Sequence, residues 1–496
     1  MSSATHFGLG AFAVFSVYFC VAHKFTVQSI DCQPIVECNE EMAGVAEELI
    51  RRNPYFPTVV ASVVDYHGQI QTTFQTLWRA VTSIFLRLSY EREIFPLPDG
   101  GHIALDWISH KSKLRTSRGM KEGPDIQTLR DSQQTKLVII FHGLCGDSTA
   151  EYIVHLADIL LTEGYEVLVV VARGCGGLEI GEFGPGFLPH RKNESDIKYV
   201  LKHVRSLRPN SLLFGLGFSL GAAQLLKEIG KQDKQLCFST NASVSCHSER
   251  RTDYVECQAT VDVQSSIDLA AAVCISPPWD MERKTKVFHW WAPILTFALK
   301  IYALNNFKAI RRLGVSMWKV MFTRTVDEFD EHFIKIHGYG SVKEYRMDSS
   351  PVAYARYITT PTLAISAMDD PVCCVGGAPI LREDKDSTKS DSSVEGKETS
   401  SLHNPTYIGK GLVIVKTKFG GHLGFPCVDK ATIETPSNTH NSNKEIDSQS
   451  TQRKDLFTSS RYRSSLGSWL QKTWTDQVIV DWFNYFSNET LWQSDM

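Results

Sequence analysis

The chain has 496 residues, 43% of them hydrophobic and 22% charged, with a formal net charge of −3. That length allows a large core and more than one domain, and the near-neutral balance lacks the basic excess that a nucleic-acid partner requires. Twelve cysteines in so long a chain do not make a disulfide framework, and without a C-x-x-C pair they do not suggest zinc.

The first element is the uncharged run FGLGAFAVFSVYFCVA, Phe7 to Ala22, followed by Lys24. It falls slightly short of a full span of about 20 residues, and the flanking Thr5, Thr26 and Val27 lengthen it. It predicts an N-terminal membrane anchor over residues 1–27 and a single-pass membrane protein. A cleaved secretory signal ending at Cys20-Val21-Ala22 is the rival, weakened by the missing positive n-region. The side of the membrane stays open. Lys24, Arg51 and Arg52 favour a cytoplasmic body, whereas the sequons at Asn193, Asn241 and Asn488 permit a lumenal one.

Residues 32–95 read as an irregular, partly helical approach segment. FPLPDGGHIALDW then predicts a hairpin about Asp99-Gly100-Gly101. From Leu137 the pattern changes. KLVIIFHG and EVLVVVARG are continuous Val/Ile-rich runs, as expected of strands covered on both faces. SLLFGLG, AAAVCIS, PTLAISA and GLVIVKT follow, and candidate helices lie around Tyr152–Thr162, Asp196–Leu207 and Leu220–Ile229. This alternation predicts a mostly parallel α/β sheet flanked by helices, with one large domain over 96–490. Polar stretches at 231–265, 381–406 and 428–466 read as surface insertions, the last two too poor in apolar side chains to order. Residues 283–346 read as a helical cap segment. They include the aromatic VFHWWAPILTFALKIYAL, either a packed helix or the wall of an acyl pocket. A last amphipathic helix pattern occupies SWLQKTWTDQVIVDWFNYF.

One junction carries chemistry. LLFGLGFSLGAAQLL, Leu212 to Leu226, runs from a strand pattern through G-F-S-L-G into a helix pattern. G-x-S-x-G alone is weak, but strand–turn–helix is the setting in which a serine is pushed above the sheet on a strained turn. A serine hydroxyl needs a histidine to take its proton, and the histidine needs a carboxylate to orient it. TLAISAMDDP ends one later strand in Asp369-Asp370, and GLVIVKTKFGGHLGF ends the last in Gly420-Gly421-His422. Ser219, an aspartate and His422 thus occur in that order at strand ends. Negative charge built up on a carbonyl would need two backbone donors. Leu220, after the serine, and Leu144, after His142-Gly143, are the candidates.

These motifs resemble the α/β-hydrolase fold, and within it the ABHD lipid-hydrolase branch, which groups membrane-anchored animal enzymes with fungal ester synthases and bacterial esterases. The likeness rests on DGGHIALDW, FHGLCGDSTAEYI, ARGCGGLEI, GFSLGAA, FDEHFIKIHGYGSVKEY, SAMDDPV and GGHLGF, and spans about 54–425 plus the final helix. It implies Ser219 as nucleophile, His422 as general base and Asp370, directly before Pro371, as the orienting acid. Asp369 is the close rival. Arg173 lies in an R-G-C-G loop that supports the pocket, and the segment with Asp327, Phe329, Asp330 and Tyr345 has an architectural role. His142 and Cys145 depart from the family's usual P-G-L-T-G-x-S loop and leave its shape open.

The expected function is hydrolysis of lipid carboxylic esters, acylglycerol or phospholipid, without metal or cofactor. An acyltransferase using an alcohol in place of water, or a non-catalytic lipid or steroid binder, are the alternatives. The sequence leaves the oligomeric state unknown.

Overall fold

The structure is a computed structural model. It describes residues 28–31, 34–53, 58–61, 68–83, 86, 88–110, 135–186, 190–191, 194–245, 268–285, 288–380, 407–425 and 473–487. In chain order the strands are β1 (Gln28–Asp31), β2 (Ile35–Cys38), β3 (Thr58–Ala61), β4 (Leu88–Pro96), β5 (His102–His110), β6 (Lys136–Phe141), β7 (Glu166–Val171), β8 (Leu212–Phe218), β9 (Leu269–Ile275), β10 (Thr362–Ala367) and β11 (Leu412–Thr417). β1 and β3 form a small antiparallel pair. The other nine strands form one sheet in the order β2-β11-β10-β9-β8-β6-β7-β5-β4. Pairing is parallel from β11 through to β7 and antiparallel at β7–β5, β5–β4 and β11–β2. This is the mostly parallel sheet that the Val/Ile-rich runs predict.

The helices are α1 (Glu40–Arg52), α2 (Gly68–Ser83), α3 (Glu151–Thr162), α4 (Asp196–Leu207), α5 (Leu220–Ser245), α6 (Phe288–Asn305), α7 (Phe307–Arg312), α8 (Met317–Phe322), α9 (Val326–Glu331), α10 (Val342–Ser349) and α11 (Trp474–Tyr485). Alternate side chains of each strand point to opposite faces, so the continuous apolar runs serve two cores. Val138 and Ile140 of β6, with Phe214 and Leu216 of β8, pack beneath α1, α3 and α11. Leu137 and Ile139, with Leu213, pack beneath α4 and α5. All seven are buried at 1% exposure or less, each contributing about 1.5–3 kcal/mol by leaving water. A third cluster joins α6, α7, α8 and α9 to the loop after β7 through Tyr302, Ile310, Phe329 and Cys175.

Three sequence expectations change. The approach segment is an integral part of the sheet: β2 pairs with β11 and β4 with β5. Residues 231–245, expected to open a polar insertion, continue α5, while 246–265, 381–406 and 428–466 lie outside the described residues. The single-pass membrane anchor is corrected. Among the described residues no helix is long and apolar enough to cross a membrane. The run expected to form the anchor, 1–27, lies outside those residues, and no membrane span is carried forward.

Candidate active site

Ser219 sits between the end of β8 and the start of α5 with φ of 50°. That left-handed conformation is costly for a residue with a Cβ, and it persists only where the surroundings force it. The two flanking glycines explain how. A Cβ on Gly217 would lie 2.5 Å from Cα of Ala222, and one on Gly221 would lie 2.5 Å from the carbonyl oxygens of Phe141 and His142. Strand, turn and helix approach one another too closely for any other residue. The turn is closed by the Ser219 N–H donating to Ile275 O at 2.9 Å, which ties it to the neighbouring strand β9.

The three strand-end residues meet. His422 Nε2 lies 2.9 Å from Ser219 Oγ, and His422 Nδ1 lies 2.9 Å from Asp370 Oδ2. Asp370 is buried, and its Oδ1 accepts the main-chain N–H groups of Val372 and Cys373, both at 2.8 Å. Pro371 carries no N–H, so the carboxylate reaches past it to the next two donors. Asp369 faces the other way. Its Oδ1 accepts the Gly421 N–H at 2.9 Å, and burial, with the Asp370 charge beside it, pushes its carboxyl up to about 6. The geometry therefore separates the two aspartates: one touches the imidazole, the other braces the loop that carries it.

The loop after β6 lies across Ser219. His142 is buried, and its Nε2 accepts the Ala172 N–H at 3.0 Å. The ring proton must then sit on Nδ1, which donates to Gly143 O at 2.6 Å. Burial pushes His142 below its usual value, which keeps the ring neutral. The Gly143 N–H donates to Tyr152 Oη at 2.9 Å, and Cys145 adopts φ of 57°. This unusual His–Gly pair is thus a strut that fixes the loop by two side chains. Among the described residues, no acceptor takes the N–H of Leu144 or of Leu220, the first residue of α5. Both leucines line a cavity of about 160 Å³ that has Ile103, Phe141 and Val170 as apolar wall and Gln224 and Lys227 at its polar side.

Arg173 ties the surroundings together. It donates to Asp99 Oδ2 in the β4–β5 turn at 2.5 Å and to both carboxylate oxygens of Asp196 on α4 at 2.8 and 2.7 Å. The cap segment docks on the same loop, with Tyr302 Oη donating to Arg173 O and Asn306 Nδ2 to Gly174 O. Asp327, on α9, pairs with Lys284 at 2.7 Å and with Arg346 on α10, and Asp330 lies 3.6 Å from Arg346. Burial pushes the Asp330 carboxyl up to about 7.

Further residues reach the site from outside those motifs. The His422 N–H donates to Thr72 Oγ1 at 2.7 Å, and Arg79 Nη1 donates to Leu423 O at 2.7 Å. Both side chains that hold that loop come from α2, within a stretch that reads as an approach segment. Cys373, which is buried, also reaches the site: one donor atom each from Cys373, Asp370 and His422 lie within 4.8 Å of one another.

Fold and site define the class: an α/β-hydrolase with a serine at the strand–helix elbow and a histidine and an aspartate in reach. No family model matches the chain. Phospholipase ABHD3 of Homo sapiens is 24% identical over 433 residues, covering 84% of this chain and 86% of its own length. A monoacylglycerol lipase of Saccharomyces cerevisiae is 24% identical over 337 residues, covering 63% and 68%. A medium-chain fatty acid ethyl ester synthase/esterase 2 of the same yeast is 24% identical over 389 residues, covering 64% and 77%. The chain is thus similar to ABHD-type and related lipid-ester α/β-hydrolases over most of its length.

Proposed function

We propose that the protein is a serine hydrolase that cleaves carboxylic esters of lipids. The observation that carries the reading is the continuous chain Ser219 Oγ, His422 Nε2, His422 Nδ1, Asp370 Oδ2, with 2.9 Å at each junction. Ser219 attacks the acyl carbon while His422 takes its proton. Asp370 holds the imidazole in the tautomer that can accept and stabilises the imidazolium that forms. The carbonyl oxygen gains charge between the N–H groups of Leu144 and Leu220, the second of which carries the positive end of α5. His422 then returns the proton to the departing alcohol, and water releases the acyl group from Ser219.

Lipid, as the substrate class, is supported by the relatives' names and by the apolar wall of the cavity beside the two N–H donors. A second feature agrees. Trp290, Ile294, Phe297, Ile301 and Leu304 repeat at helical spacing on α6 and are 43–68% exposed, with Trp318 at 76% and Phe322 at 75% nearby on α8. So large an apolar face on the cap suits an ester presented in an aggregate. Transfer of the acyl group to an alcohol uses the same residues, and the ester synthase/esterase relative favours keeping it as a second reading; product analysis with added ethanol separates the two.

The test of the reading is labelling by a serine-directed fluorophosphonate together with turnover of monoacylglycerol and phosphatidylcholine. Wild type is expected to label and to turn over, and Ser219→Ala to do neither. Equal labelling of both proteins rejects it.

A further inference from the structure

Three side chains at the site form a set that ester cleavage does not use as such. The sequence Asp370-Pro371-Val372-Cys373 folds back on itself because the Cys373 N–H donates to Asp370 Oδ1 at 2.8 Å. That turn brings the Cys373 thiol over the carboxylate. One donor atom each from Asp370, Cys373 and His422 lies within 4.8 Å of the others. Among the described residues no other such group of three occurs.

We propose that this cluster is an inhibitory site for a thiophilic divalent cation, zinc above all. A thiolate, an imidazole and a carboxylate are the ligand types that zinc takes, with bonds of about 2.0–2.3 Å and tetrahedral angles. Donor-to-donor spacings in such a site are about 3.3–3.7 Å, so the present cluster closes on an ion with shifts of about an ångström. Rotation of the cysteine and histidine side chains supplies that. Binding is balanced by one proton: the Cys373 thiol loses H⁺ to solvent and the sulfur takes the metal in its place. His422 and Asp370 bind as the neutral ring and the carboxylate. The ion reaches the cluster through His422, whose side chain is 13% exposed. Once the metal occupies His422 and Asp370, the imidazole is no longer free to take the serine proton.

The inhibition rests on the function proposed above, but the binding does not, and the experiment separates them. Cobalt(II) is titrated into the full chain as wild type, Ser219→Ala, Cys373→Ser, His422→Ala and Cys374→Ser, following the thiolate-to-cobalt charge-transfer band. Wild type, Ser219→Ala and Cys374→Ser are expected to show the band, saturating at about one ion per chain and bleached by zinc. Cys373→Ser is expected to lose the band and His422→Ala to bind at least about 10-fold more weakly. A band that persists in Cys373→Ser, or none in wild type, overturns the site. In parallel, zinc is expected to inhibit ester turnover reversibly, a chelator restoring it. Cys373→Ser, measured against its own uninhibited rate, is expected to need at least about 10-fold more zinc. Inhibition identical in Cys373→Ser and wild type overturns the regulatory part. Absence of turnover in wild type with the cobalt band intact would count against the hydrolase reading alone.

Discussion

The main-chain N–H of His422 donates to the hydroxyl of Thr72 at 2.7 Å, joining residues 350 positions apart. Thr72 is in turn fixed by its own donation to Gly68 O at 2.6 Å, so helix α2 holds the histidine loop from behind. An ordinary hydrogen bond contributes about 0.5–1.5 kcal/mol. Loss of this one is expected to lower kcat about 10-fold with KM little changed, because the bond sets where the imidazole stands rather than how substrate binds. Thr72→Val should show the loss and Thr72→Ser should restore the rate. Steady-state kinetics on a soluble ester measures both, and equal rates for Thr72→Val and wild type would remove α2 from the site.

The two adjacent aspartates are expected to differ sharply. Asp370→Asn leaves the shape of the turn but reverses the donor at the atom facing His422 Nδ1, and a loss of about 10⁴-fold in kcat is expected from the wrong tautomer. Asp369→Asn keeps an oxygen for the Gly421 N–H, and less than about a 10-fold loss is expected. A fluorophosphonate labelling rate on each variant decides it, and a reversed order would make Asp369 the orienting acid.

Much of this was legible in the chain. The Val/Ile-rich runs located β6 to β11 because strands buried on both faces cannot hide their composition, and G-F-S-L-G announced the elbow because only glycine fits beside Ser219. The resemblance prefers Asp370 to Asp369 through its place before proline, and it is Asp370 that lies beside His422 Nδ1. What escaped has a common cause. Thr72, Arg79 and the edge strand β2 act through contacts of very long sequence separation, and nothing in their local pattern records the partner. Cys373 is different: D-P-V-C has the spacing of a turn that folds back on its first residue, a signal present in the sequence and left unused.

Arg173 offers a stability test of the loop that supports the cavity. It is 5% exposed and shared between Asp99 and Asp196. Removing one partner of a buried ion pair strands the others, at about 3–5 kcal/mol. Arg173→Ala is expected to lower the unfolding free energy by about that amount. Arg173→Lys should recover little, because one ammonium cannot serve both the turn and the two oxygens of Asp196. Urea unfolding of the three proteins gives the comparison, and full rescue by lysine would show that charge alone matters.

Acid should destabilise the fold through His337. Both its ring nitrogens are buried without a partner among the described residues, and burial, with His190 and Arg173 adding positive charge nearby, holds it down at about 3. An unfolded histidine takes its proton near about 6.5. Above that value both states are neutral and nothing is lost. As pH falls from about 6.5 toward 3, the unfolded chain binds a proton that the folded chain refuses, so stability declines over that window. His337→Gln is expected to flatten the decline between pH 6.5 and 4, as read from melting temperatures across the range. A variant that melts in parallel with wild type would assign the acid sensitivity elsewhere.

The exposed apolar face of the cap gives the sharpest distinction between a lipid esterase and an esterase of soluble substrates. Trp318 and Phe322 stack at 6.2 Å between ring centroids and are three-quarters exposed, so replacing them with serine should move folding stability by no more than about 0.5 kcal/mol. Lys308, Arg311, Arg312, Lys319 and Arg324 are exposed on the same segment and would favour a negatively charged aggregate. Each aromatic ring taken from water into lipid contributes about 1.5–3 kcal/mol. The double variant Trp318→Ser, Phe322→Ser is therefore expected to hydrolyse an emulsified long-chain ester at least about 10-fold more slowly. Its rate on a short, dissolved ester should equal that of wild type. Raising salt should weaken the wild-type rate on anionic emulsions and leave the dissolved substrate unaffected. If the double variant loses both activities equally, the face packs the cap rather than meeting substrate.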